Sequence, residues 1–582
     1  MKNLLTLKKY FVKYKIKLLW GILFILVSNV ATVYLPILLK DSINTLQKDA
    51  TSEKLLQYAF LIVGTSIIAG IFRYLIRQTI IVVSRLIEYD LRGDFWKHIQ
   101  KLPLKYFQNN STGNIMSHAT NDINAVRGFV GPAVMYSIDT SVRLIIVVSI
   151  MISLNFSLTI YALIPLPILS YGVYRVGKLI HEKYTKIQEN FSQLTTRAQE
   201  NFSGIRVIKS YVREANEIKR WNELSQEFLR KNMNLVRIQS LIMPILTIIT
   251  GISIIVVIWV GGTKVINNEL NLGEMAAFVM YLSILIWPVI AFGWVMNIIQ
   301  QAEASMKRLN KIFNEPYEIQ DSSETIHSIK ELKGNIEFKN VSFKYSETLP
   351  EVLKNINLII PVGSTLAIIG HTGSGKTSLI NLIPRLYDAA DGEVIIDGNN
   401  VKKIPLDVLR TNIAVVQQES FLFSDSVYGN LSYGLHEVDT LRVEQVSQIA
   451  NFDIDVRSFP NGYETVVGER GITFSGGQKQ RASLARALAT NPKIIILDDS
   501  FSAVDTNTEE SILKNLKEYM DNKTSIIISH RISTVKDADK IVVLENGRIA
   551  EEGTHNQLVQ QNGIYAELHH KQLLEKELEE LN

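Results

Sequence analysis

Apolar and polar positions follow two different rules along the chain, and the change comes near residue 335. Before residue 300, apolar stretches recur at 18–39, 55–76, 134–154, 158–174, 241–262 and 275–296, each uncharged or carrying isolated charges. An α-helix rises about 1.5 Å per residue, so roughly 20 apolar residues cross a hydrocarbon layer about 30 Å thick; apolar runs of buried soluble helices are usually shorter. The pattern predicts an all-α domain of six membrane spans. From Gly334 onward come short β-branched runs at 336–338, 365–369, 393–396, 413–416, 494–497, 525–528 and 540–544, alternating with helical patterns. Uniformly apolar runs such as Ile494-Ile495-Ile496-Leu497 suit the centre of a parallel sheet covered on both faces. The expected organisation is a transmembrane domain over 1–320, a polar linker over 321–334 and an α/β domain over 335–582.

The connections between spans set the orientation. The connection at 77–132 carries seven Lys/Arg against four acids, and that at 175–237 carries thirteen against seven. The first and fifth connections are short and without basic excess, and the third is only about three residues, Asn155 to Ser157. Cytoplasmic loops are the basic ones, so the N-terminus, both long loops and the C-terminal half are expected in the cytoplasm. Six lysines and no acid occupy residues 1–17. That flank resembles the start of a signal peptide, but the apolar run after it is long enough to span and no small-residue cleavage site closes it, so it reads as a retained span. The long loops are helical in composition, with turn chemistry at Gly113 and at Ser203-Gly204; the spans are therefore expected to continue into the cytoplasm as helices.

Composition removes several classes of function. At 582 residues the chain exceeds one ordinary core, and 47% hydrophobic residues exclude disorder. A net charge of +4 gives no field for nucleic acid. The absence of cysteine removes disulfides, thiolate metal sites and thiol catalysis.

The chemistry sits in the second half. Gly370-His371-Thr372-Gly373-Ser374-Gly375-Lys376-Thr377, followed by Ser378, matches the phosphate-loop pattern between a predicted strand and a predicted helix. Its glycines let backbone N–H groups turn toward a β-phosphate, Lys376 reaches the β and γ phosphates, and the Thr377 hydroxyl suits Mg²⁺. Asp498 and Asp499 end the run at 494–497, where a strand delivers side chains to the carboxyl edge of the sheet. Asp498 would hold Mg²⁺ through water and Asp499 would orient or deprotonate an attacking water. Between them lies Phe474-Ser475-Gly476-Gly477-Gln478-Lys479-Gln480-Arg481, a second Gly-rich start of a helix.

With that last motif the chain resembles the ATP-binding cassette (ABC) transporters of the exporter class, and in particular one subunit of the heterodimeric bacterial multidrug exporters. The resemblance covers essentially the whole chain, six spans followed by one cassette, and Ser475-Gly476-Gly477-Gln478 is similar to the family's signature. It implies ATP and Mg²⁺ as cofactors and two cassettes facing head to tail, the signature of each closing over the nucleotide held by the other. It also implies that Tyr345 stacks on adenine, Gln418 links Mg²⁺ to the membrane domain, Asp505 lies at the cassette interface and His530 contacts the γ-phosphate. Glu469 resembles an element that touches the cytoplasmic loops, and segments near 111–122 and 205–211 are the candidates to seat on the cassettes. The implied location is the plasma membrane of a bacterium, in contact with lipid and with a hydrophobic or amphipathic substrate.

The sequence departs from the family at Asp499, where efficient members usually carry Glu. The carboxylate is one methylene short, while the signature is intact, so a different half-transporter is the expected partner and a slow ATP site is expected in this chain; a homodimer is the alternative. Inside the third span, Asp139 and Arg143 stand four apart and either pair with each other or contact substrate. Trp287, Phe292, Trp294 and Met296 in the sixth span suit varied apolar shapes or face lipid. The expected function is ATP-driven export of amphipathic small molecules or lipids by alternating access. Peptide export and a cassette-gated channel or regulator are the competing readings.

Overall fold

The computed structural model describes residues 2–48, 51–437, 439–468 and 474–580. The chain forms two compact units, Met1–Gln100 with Thr112–Glu315, and Lys101–Ser111 with Pro316–Asn582.

The first unit is helical. Among the described residues, five rods are long and apolar enough to cross a membrane: Lys15–Lys48, Ser52–Ile99, Thr112–Leu154, Glu214–Ile266 and Leu272–Phe313. They contain five of the six expected stretches. The remaining one, at 158–174, is divided at Ile164 into Phe156–Leu163 and Pro165–Ser203. Pro165 and Pro167 have no N–H to donate to the preceding turn, which ends one helix and starts the next. Between the third and fourth stretches only Asn155 is non-helical, and its side chain accepts the Leu158 N–H at 2.9 Å. Along Ile242–Ile266 the side chains of Ile248, Ile255, Ile258 and Trp259 are exposed, a face suited to lipid rather than to water. The opposite faces bury Val147, Met151, Leu158, Val257, Phe278 and Tyr281 in one cluster, where the Tyr281 hydroxyl donates to the Val33 carbonyl at 3.1 Å.

The helices reach well beyond a bilayer's thickness, as the composition of the long loops implies. The N-terminal segment is strapped to Val82–Ile99 by Lys9 and the Tyr10 hydroxyl on Asp94, at 2.8 and 2.7 Å, and by Lys13 and the Tyr14 hydroxyl on Asp90, at 2.6 and 3.0 Å. π turns interrupt the rods at Arg77–Ile81, His118–Asp122 and Phe129–Ala133. Buried Asp122 accepts hydrogen bonds from His118 at 2.6 Å and from Arg308. Segment 112–122 thus belongs to the first unit. The short helix that groups with the second unit is Leu104–Asn109, upstream of the stretch expected at 111–122, with Lys101 over the Tyr317 ring and Lys105 4.0 Å from Glu318.

Among the described residues the second unit contains ten strands: β1 Ile336–Phe343, β2 Leu353–Ile360, β3 Thr365–Ile369, β4 Asp391–Ile396, β5 Asn399–Asn400, β6 Ile413–Val416, β7 Ile494–Asp498, β8 Thr524–Ile528, β9 Lys540–Glu545 and β10 Arg548–Gly553. A six-stranded sheet runs β10-β9-β3-β8-β7-β6, parallel except for β10, and an antiparallel sheet runs β2-β1-β4-β5. All seven expected strands are present, while β2, β5 and β10 were not expected. All three are edge strands, and β10 alternates exposed and half-buried positions with no fully buried one. β5 and β10 are mostly polar, and Lys354, Asn355 and Asn357 interrupt the apolar positions of β2 before Leu358-Ile359-Ile360, so none displays an apolar run along its length. Residues 321–334 form neither helix nor strand, yet they are tied down: the Asp397 carboxylate accepts the N–H groups of Lys333, Gly334 and Asn335, and Leu332 is buried.

Candidate functional site

The phosphate-loop segment leaves β3 at the carboxyl edge of the parallel sheet, where open α/β sheets bind their ligands. Two of its glycines are required by geometry. Gly370 has φ +153°, and a Cβ there would lie 2.2 Å from the Leu544 carbonyl oxygen; Gly375 has φ +104°, and a Cβ would lie 2.9 Å from Leu353 Cδ2. Thr372 and Gly373 form the exposed tip of the turn. The following regular helix, Lys376–Asn381, has only six residues, so the loop's own N–H groups contribute more to anion binding here than an accumulated helix dipole.

Lys376 is 8% exposed and folds back over the loop, its ammonium donating to the Gly370 and His371 carbonyls at 2.8 and 3.0 Å. Burial pushes its pKa down, and the carboxylates of Asp498 and Asp499 draw it back up. Ser374 is buried, and its hydroxyl has no partner among the described residues. Ser378 exchanges a hydrogen bond with the Tyr345 hydroxyl at 2.8 Å, and the half-buried Tyr345 ring meets Tyr387 edge-on at 5.4 Å.

Asp498 ends β7, and its Oδ2 accepts the Thr377 hydroxyl at 2.9 Å. Burial raises its pKa and nearby Asp499 adds to that, while Thr377, Lys376 and His530 oppose it. Asp499 turns away from the strand with φ +47°, its N–H donating to the Ile528 carbonyl at 2.9 Å. The Gln418 amide approaches Asp499 Oδ2 at 3.4 Å. The fold therefore brings Lys376, Thr377, Asp498, Asp499 and Gln418 into one connected group, although they come from three separate stretches of chain.

The donor set suits magnesium and a triphosphate. Thr377 and Asp498 offer hard oxygen atoms, and among the described residues no group of three or more His, Cys, Asp or Glu could hold a metal by itself. An ion held by one carboxylate, one hydroxyl and substrate phosphates fits that arrangement. The unpartnered Ser374 hydroxyl and the retracted Lys376 ammonium are likewise suited to phosphate oxygens.

The signature segment caps a different helix. Ser475 is the N-cap of Gly476–Ala489, where its hydroxyl accepts the Gln478 N–H at 3.2 Å and the Gln478 side chain accepts the Ser475 N–H at 2.9 Å. Gln478 also donates to Asp455 at 2.9 Å, and Arg481 pairs with the same carboxylate at 2.8 Å. A Cβ on Gly477 would lie 2.9 Å from the Ala503 carbonyl oxygen, so the helix packs directly on the segment leading to Asp505, which caps Thr506–Met520. Among the described residues, no hydrogen bond or ion pair joins Ser475–Gln478 to Lys376, Thr377, Asp498 or Asp499. Glu469 lies outside the described residues.

His530 is exposed just after β8. Its segment is held from two sides. The Gln572 amide donates to the His530 carbonyl at 2.6 Å, and its oxygen accepts the Ile532 N–H at 2.8 Å. Buried Glu509 pairs with Arg531 and accepts the Thr534 hydroxyl at 2.6 Å. Sequence reasoning missed Gln572 and Glu509, because both are ordinary polar residues of amphipathic helices with no motif around them.

Comparison with known proteins agrees with this geometry. Residues 18–289 match the family described as ABC transporter transmembrane region, and residues 353–502 match ABC transporter. The chain is 37% identical, over 97% of its length and 96% of the relative's, to a probable multidrug resistance ABC transporter ATP-binding/permease protein of Bacillus subtilis. It is 34% identical, over 95% of its length and 92% of the relative's, to an ATP-dependent lipid A-core flippase of Syntrophus aciditrophicus. A solved bacterial Atm1-family ABC exporter with ATP bound shares the architecture at TM-score 0.80 and 25% identity, over 96% of this chain and 98% of that one. The chain belongs to the ABC transporters, as a membrane domain fused to an ATP-binding domain of the exporter type in which an ATPase is coupled to transport.

Proposed function

We propose that this chain is one half of a dimeric exporter of amphipathic small molecules or lipids, paired with a different half-transporter, and that the ATP site built on its own phosphate loop turns over slowly. The observation that carries the reading is Asp499. Its backbone is pinned by the Ile528 carbonyl at 2.9 Å in a left-handed conformation, so the chain cannot advance to make up for a side chain one methylene short. The multidrug and flippase names of its relatives support the substrate class.

In this reading Gly370, Thr372, Gly373, Ser374, Gly375, Lys376, Thr377 and Ser378 cradle the phosphates, and Tyr345 stacks on the adenine. Thr377, Asp498 and Gln418 hold Mg²⁺. Bound Mg²⁺–ATP supplies the phosphoanhydride bond and neutralises charge on its oxygens. Asp499 orients water, and His530 holds the γ-phosphate in place. Ser475, Gly476, Gly477 and Gln478 complete the partner's faster site. The Ser475 and Gln478 side chains are already locked by the capping box, so this helix start is preorganised. Helices Leu104–Asn109 and Ile205–Ser210 transmit cassette closure, with both termini and both loops on the cytoplasmic face.

The test is ATPase of the chain purified alone and with candidate partner halves. Slow turnover alone and fast turnover with one partner support the reading. Robust turnover by the chain alone, undiminished relative to Asp499→Glu, makes it a homodimeric exporter.

A further inference from the structure

Within the first unit a cavity of about 250 Å³ opens between the helices of the first, second, third and sixth spans. Arg73, Arg77 and Arg143 line it with Asp139, and Tyr136 and Trp287 supply aromatic walls. Three guanidinium groups stand against a single carboxylate. That carboxylate is already engaged: Asp139 pairs with Arg143 at 3.1 Å and accepts the Asn29 amide at 2.8 Å. Asn29 is fully buried and its oxygen accepts the Arg143 N–H at 2.8 Å, so this triad is closed and roughly neutral. Arg73 and Arg77 remain. Neither side chain has an ion-pair or hydrogen-bond partner among the described residues, and both are exposed and line the cavity.

Charged side chains inside a span are costly and persist where they face a wet cavity or a ligand. Arg73 and Arg77 are one helical turn apart on Ser52–Ile99, and a π turn begins at Arg77. π turns frequently accompany functional sites. A cavity of this size is below the roughly 300–1,000 Å³ that encloses a whole drug-sized ligand, so it suits a headgroup whose apolar remainder lies outside it. The planar guanidinium fork presents paired N–H donors to two oxygens of a phosphate or carboxylate.

The geometry points to an anionic substrate. The cavity binds the phosphate or carboxylate headgroup of an amphiphile through Arg73 and Arg77, with Trp287 and Tyr136 against the start of its apolar chain. This deepens the exporter reading and rests on it. The cavity lies toward the cytoplasmic ends of the second and third spans in the proposed orientation, where an inner-leaflet amphiphile would enter.

Binding without nucleotide tests the idea independently of ATP turnover. The full transporter, in phosphatidylcholine nanodiscs, is titrated with dodecyl phosphate, dodecyltrimethylammonium and dodecyl maltoside, and separately with phosphatidic acid incorporated in the disc. Dodecyl phosphate or phosphatidic acid should bind at least about tenfold more tightly than the cationic and neutral probes. Arg73→Ala/Arg77→Ala should lose that preference, and Arg73→Lys/Arg77→Lys should keep most of it. Binding of both anions supports the shared headgroup chemistry, binding of dodecyl phosphate alone assigns a single-chain anion, and binding of phosphatidic acid alone assigns a lipid. Equal binding of all probes, preference for the cation, or an undiminished preference in the alanine variant overturns the proposal. Failure to hydrolyse ATP with any partner would instead overturn the exporter reading and leave this binding result standing.

Discussion

Replacing Asp499 by Glu is the most informative single change. It advances the carboxylate by about 1.5 Å, the length of one carbon–carbon bond. The backbone will not absorb that change, because the Asp499 N–H is held by the Ile528 carbonyl at 2.9 Å. Catalytic groups need placement within about 0.5 Å, and a misplacement of 1 Å can cost on the order of 10²-fold in rate. Asp499→Glu should therefore accelerate hydrolysis at this chain's own site by up to about 10²-fold, equivalent to about 2.7 kcal/mol of barrier at 1.36 kcal/mol per decade. A second, opposite effect follows from the φ of +47° at this position. Aspartate tolerates the left-handed region better than glutamate does, so the variant should lose about 1 kcal/mol of local backbone preference and melt slightly earlier. The assay is steady-state ATPase of the full transporter in nanodiscs, with the partner's phosphate-loop lysine changed to alanine so that turnover reports this site. A wild-type site that is already fast, and no faster as Asp499→Glu, would refute the positional argument. A faster variant that is not destabilised would refute only the backbone part.

Other outcomes follow from the same geometry. Burial holds the Asp498 carboxyl above its ordinary 3.8, so the folded chain binds the extra proton between that value and its own raised one. The Asp498 contribution to nucleotide-free stability should thus be fully present below pH ~3.8 and be lost as pH rises through the folded value. Asp498→Asn should raise the nucleotide-free thermal midpoint at pH 7, by an amount that shrinks on acidification, while losing the additional stabilisation from Mg²⁺–ATP over ATP alone. Gln572→Ala frees both the His530 carbonyl and the Ile532 N–H; kcat for ATP should fall about tenfold with KM nearly unchanged, and parallel losses in both would show that Gln572 serves only folding. Asn29→Ala leaves half-buried Asp139 and Arg143 each short of a partner and should cost about 1–3 kcal/mol in denaturation of the detergent-solubilised transporter. An unchanged midpoint would mean that water replaces the amide.

Local pattern alone determined a good deal of this protein. The apolar stretches, the phosphate loop, the paired Asp498 and Asp499 and the signature helix start were all legible, because each is written in consecutive residues whose spacing reports a helix, a strand or a turn. The limits were equally physical. The strands β2, β5 and β10 lie at sheet edges, where polar residues interrupt or replace the apolar positions, and the division at Ile164 depended on two prolines inside an otherwise uniform stretch. Only the tertiary structure decided that Asn29 closes the Asp139–Arg143 pair across 110 residues of sequence, or that Gln572 reaches His530 across 42. It alone placed Arg73 and Arg77 in one cavity with Trp287. Spacing fixes which face of its own element a side chain occupies, but its partner is chosen by how separate elements pack, and no periodicity within either element carries that information.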